Sequence, residues 1–126
     1  MKRHLYAIAL TSLGLVSLTL PALARPEIAS GDQLLDTDVA GCLSRADQLI
    51  DTLGVEADQG SIDRTGYFED GTFRVLCYGA GDANSLAIVF ATHEQSAEVA
   101  SSFIQMTLNE LMTLSELPQG ETLSQQ

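Results

Sequence analysis

The sequence predicts a two-layer α/β (α+β) sandwich: a helix, a three-stranded antiparallel meander and a second helix, with both helices on one sheet face. Three observations lead there. Apolar residues recur at helical steps over Val39–Leu53 and again over Ala97–Met112. Thr72–Tyr78 alternates as a strand does, and Ser85–Ala91 is an almost unbroken apolar run. Each helix has one apolar stripe, so each needs sheet to cover.

The chain has 126 residues. Its first segment reads as a targeting signal. Met1-Lys2-Arg3-His4 is basic, Leu5–Leu20 is apolar, and Ala22-Leu23-Ala24 is an A-x-A cleavage pattern. Residues 1–24 are therefore assigned to a Sec-type signal peptide cut after Ala24, and the exported protein is placed in the periplasm or outside the cell. The apolar run is shorter than the roughly 20 residues a membrane span needs, so no stable membrane insertion is expected after cleavage.

Residues 25–37 show no clear period and are predicted as an irregular arm. Asp38 or Thr37 then looks like a helix N-cap. Val39, Cys42, Leu43, Ala46, Leu49, Ile50 and Leu53 form the stripe of the first helix, and Gly54 is a natural C-terminal residue. Residues 55–60 read as a connection and 61–68 as an edge strand, interrupted at Gly66. Glu69-Asp70-Gly71 predicts a hairpin turn in which Asp-Gly supplies a positive φ. The strand after it puts Phe73, Val75 and Cys77 on one face and Arg74, Leu76 and Tyr78 on the other. The continuous run at 85–91 predicts a strand buried on both faces. Thr92 and Gln95 fit a capping box for the last helix. The single domain spans 38–114, and 115–126 read as a flexible tail.

Two cysteines permit one internal pairing, Cys42 with Cys77. Both lie on predicted core faces, and an exported chain can oxidise them. Loop entropy puts the stabilisation at about 4 kcal/mol. Together with this cysteine placement, "GCLSRADQLIDTLG", "FRVLCYG" and "SLAIVFAT" before a long last helix resemble small exported bacterial proteins of uncharacterised, domain-of-unknown-function type. That resemblance spans roughly 38–114. It implies a fold and a compartment, and no activity.

The formal net charge of −11 repels nucleic acid and anionic membranes. No catalytic set, cofactor or metal site is assigned. Asp36, Asp38, Gly41 and Asp47 match part of a calcium loop, but Ala40 lacks a side-chain oxygen and the helical stripe needs helix there. Gly79-Ala80-Gly81 lacks the rest of a phosphate-binding pattern. Asp47 and Asp51, one turn apart, read as a solvated face. His93 reads as a surface residue in the first turn of the last helix. The leading expectation is a non-catalytic binding or self-association domain. Its candidate face carries Arg74, Leu76 and Tyr78 with alternate residues of the next strand, and its partner is an unknown protein or a second copy. The arm or the tail could instead cover that face. The alternatives are a small hydrolase using His93 with a carboxylate, and a calcium-dependent module.

Overall fold

In the computed structural model, which describes residues 27–114, the elements run β1 (Ile28–Leu35), α1 (Val39–Leu53), β2 (Glu56–Gln59), β3 (Asp63–Phe68), β4 (Gly71–Gly79), β5 (Ser85–His93) and α2 (Ala97–Thr113). The strands form one five-stranded sheet in the order β1-β5-β4-β3-β2, antiparallel throughout. This corrects the three-stranded meander. The arm is β1, and the connection after α1 holds β2. The strand expected at the edge, β3, is interior. Residues 1–24, expected to be a signal peptide, and residues 115–126, expected to be a tail, lie outside the described residues.

Each correction has a local cause. The inward residues of β1 are Ala29, Gly31, Gln33 and Leu35, and only Leu35 is buried. A Cβ added to Gly31 would lie 2.8 Å from Ile104 of α2 and 3.0 Å from Leu108. The helix packs so near that the strand cannot show large inward residues, and a period-two signal never forms. β2 has four residues, all exposed, so it has no buried face to mark it. In β3, a Cβ at Gly66 would enter the ring of Phe73, its partner across the ladder. This glycine makes room for a core ring and does not interrupt the strand.

The apolar run of β5 is not buried on both faces. Ser85, Ala87, Val89 and Ala91 are buried, Leu86 and Ile88 are half-buried, and Phe90 is exposed. Both helices lie on the inward face, and small residues there let them approach. The hairpin also differs from expectation. Gly71 starts β4 without a positive φ, and a side chain there would collide with the Thr92 carbonyl.

The helix boundaries follow from capping. Asp38 accepts from the Gly41 N–H at 2.9 Å, and Gly54 closes α1 in the left-handed region at φ 66°. The cap expected at Thr92 is at Ser96, which accepts from the Val99 N–H at 3.2 Å. β5 continues through Thr92 and His93 because both pair with β4, so α2 cannot begin there. Between the layers Cys42 and Cys77 form a disulfide with Cα atoms 6.0 Å apart, and neither residue is exposed. Four residues earlier on β4, Phe73 packs against Phe68 and Phe103, with ring centroids 5.6 and 4.9 Å away. Arg45, on α1, is buried against the end of α2. Its guanidinium donates to the Leu111 carbonyl at the end of α2 and to Asp36, each at 3.0 Å.

Candidate binding face

The face away from the helices is built from alternate residues of all five strands. Pairing aligns them in rows across the sheet. One row is Leu34, Leu86 and Tyr78, and the next is Asp32, Ile88, Leu76 and Asp63. A third is Ser30, Phe90, Arg74, Thr65 and Asp58. Among the described residues, none lies over this face. The arm that could have covered it is β1, which extends the sheet sideways.

The face has two halves. Over β1, β5 and β4 it is largely apolar, with Leu34, Tyr78 and Phe90 exposed and Leu76, Leu86 and Ile88 half-buried. Shallow hollows of about 210 and 230 Å³ flank Phe90, the first also reaching Arg74 and Thr65 and the second Asp32 and Ile88. Over β3 and β2 the face is polar. Tyr67 donates to Asp58 at 2.7 Å. That hydrogen bond is the main cause that raises the Tyr67 phenol above its ordinary pKa, with desolvation and the Asp58 charge adding and Arg74 opposing.

Arg74 joins the halves. Its Nε donates to Thr65 at 2.9 Å and lies 3.6 Å from Asp63. The side chain is 55 % exposed, so its charge remains open to a ligand. The structure thus brings Arg74, Leu76 and Tyr78 onto one face and adds Ile28, Leu34, Asp58 and Tyr67, which sequence reasoning missed. Ile28 and Leu34 share the outward face with Ser30 and Asp32, so neither face of β1 carried an apolar period that could mark the strand.

The other sequence candidates are placed elsewhere. His93 belongs to β5 and not to a helix turn. Its Nε2 is 2.9 Å from Asp70 Oδ2, and its Nδ1 accepts from the N–H groups of Gln95 and Ser96 at 3.2 and 3.1 Å. Nδ1 is therefore the acceptor nitrogen, and the ring proton sits on Nε2, facing Asp70. Both stand at the rim of an apolar hollow of about 200 Å³ floored by Phe68, Phe73 and Phe103. Asp38 caps α1, Asp36 pairs with Arg45, and Asp47 pairs with Arg64 at 2.6 Å, so the acidic residues of the calcium-like pattern serve local folding. Helix α1 occupies the stretch where that pattern would need a loop. No group of three or more metal-ligating side chains occurs among the described residues. Gly79-Ala80-Gly81 lies in the β4–β5 connection, where Ala80 N–H donates to the Asn84 carbonyl.

Compared with models of known protein families, with curated proteins and with solved structures, the chain finds no match. No helix among the described residues is long and apolar enough to cross a membrane.

Proposed function

We propose that this protein is a non-catalytic binding domain of an extracytoplasmic compartment, which engages a protein partner or a second copy through the open sheet face. The observation that supports this reading is the continuous apolar surface of Leu34, Leu76, Tyr78, Leu86, Ile88 and Phe90, bordered by the exposed charge of Arg74. Uncovered apolar area of this kind gains free energy when a partner removes it from water. The Cys42–Cys77 disulfide supports export to an oxidising compartment, periplasmic or extracellular, after cleavage at Ala24. A photo-crosslinker at position 76, in cells that export the protein, tests the face. Adducts form from position 76 and not from Glu98 on α2. Equal yields at the two positions, or none at 76, refute the reading.

A second reading, a small hydrolase, is favoured by the His93–Asp70 pair at the rim of the apolar hollow. A general base needs a free nitrogen lone pair, and Nδ1 already receives two backbone N–H groups. On the binding reading His93 instead ties the end of β5 to the start of α2. His93→Gln then leaves turnover of a broad ester panel at background and lowers Tm. Turnover by the native protein that this variant abolishes would favour the enzyme.

A further inference from the structure

Among the described residues the sheet has two free edges, and they are built differently. The β2 edge is four residues long and carries Glu56 and Asp58, a short and charged strand of the kind that resists pairing. The β1 edge is eight residues long, runs in unbroken register with β5, and holds no lysine, arginine or proline. Its two outward ends are Ile28, 71 % exposed, and Leu34, 55 % exposed. No other large apolar residue described in this chain is as exposed as either.

We propose that β1 is the interface of a two-fold homodimer, in which two copies pair antiparallel about Gly31 and continue one sheet. The two-fold axis is normal to the sheet, so partners must share a face. An axis at Gly31 sets Ile28 against the other copy's Leu34 at both ends, and Ser30 against Asp32. The Ser30 hydroxyl can then donate to the Asp32 carboxylate. An axis at Asp32 opposes two carboxylates, and an axis at Ser30 sets Ile28 against Asp32. Of these three registers, only the Gly31 axis joins apolar to apolar.

The contacts of Gly31 with Ile104 and Leu108 place α2 directly above β1. Phe103 packs against Phe68 and Phe73, so it marks the flank that faces the middle of the sheet. The flank of α2 opposite Phe103 carries Ser101, Gln105, Leu108 and Met112, with Glu98 one turn before Ser101, while Glu110 lies on the Phe103 side. In a chain of net charge −11, the β1 edge carries one carboxylate, Asp32, which the Gly31 register sets against the Ser30 hydroxyl of the other copy. This contact is separate from the open face and does not depend on its role. It would place two open faces side by side on one ten-stranded sheet.

Sedimentation and light scattering of the exported protein, disulfide intact, test the proposal. The native protein has twice the chain mass. The edge variant Ile28→Lys/Leu34→Lys has half that mass with an unchanged circular dichroism spectrum. The face variant Ile88→Lys stays dimeric. A second measurement serves if the edge variant does not fold. Mixing Ser30→Cys protein with Asp32→Cys protein under oxidation gives a disulfide-linked mixed dimer, and neither variant alone links as fast. A native monomer at submillimolar concentration overturns the proposal. So does a dimer lost in the face variant but not in the edge variant, or faster linking of Asp32→Cys alone.

Discussion

Tyr67 and Arg74 show how single side chains give the open face its character. The Tyr67 hydroxyl is spent on Asp58, and the folded protein holds that proton at a pH where the unfolded chain has lost it. The sign follows from linkage. The contribution to stability is fully present below the ordinary phenol pKa and is lost as pH rises through the raised one. Asp58→Asn removes the charge and the ionic acceptor, so the tyrosinate absorbance of the folded protein should rise at lower pH than in the native chain. An unchanged titration curve would show that the carboxylate is not the cause. Arg74 works differently. It is anchored through Nε to Thr65 and close to Asp63, yet over half exposed, so it presents a positioned charge beside Phe90. Arg45 is its buried counterpart. Its hydrogen bond to Leu111 joins the two helices, and its ion pair with Asp36 holds the turn before α1.

At the scale of elements, what could be read from the sequence depended on whether a buried face needed large residues. The stripe of α1 was legible because Cys42, Ala46, Leu49 and Ile50 are buried at helical steps. The alternation of β4 was legible because Phe73, Val75 and Cys77 fill the core. β1 was not, since α2 lies so close that Gly31 occupies a core-facing position. β2 was not, since all four of its residues face water. β5 misled in the opposite way: its run of apolar residues is continuous because the inward set serves the core and the outward set forms the candidate face. Arg74, Leu76 and Tyr78 could be assigned to the outward face from alternation together with the expected bond of Cys77 to the first helix. Ile28 and Leu34 could not, because their strand was invisible. The His93–Asp70 pair was also hidden, because Asp70 sits in the β3–β4 turn and the two meet only through the pairing of Gly71 with His93.

For the whole molecule, the disulfide divides the fold into two parts. The loop closed by Cys42 and Cys77 contains the rest of α1, all of β2 and β3, and most of β4. β1, β5 and α2 lie outside it and are held by packing and hydrogen bonds. Replacing both cysteines by alanine should therefore lower the unfolding free energy by about 2–4 kcal/mol, measured as a shift in the denaturant midpoint. A shift well under 1 kcal/mol would mean that the loop is already restrained in the unfolded chain.

The pairing of the first strand with the last sets a timetable for the chain. A polypeptide emerging from its N-terminus presents β1 early. β1 pairs only with β5, and even the ladder's nearest contact in sequence, Leu35 with Ser85, waits for two-thirds of the protein to appear. Until then β4 also lacks its central neighbour, and the helices have an incomplete surface to cover. Folding is thereby postponed until the chain is nearly whole. A protein that must be threaded through a narrow pore before it folds gains from this delay, because little stable structure exists to obstruct its passage.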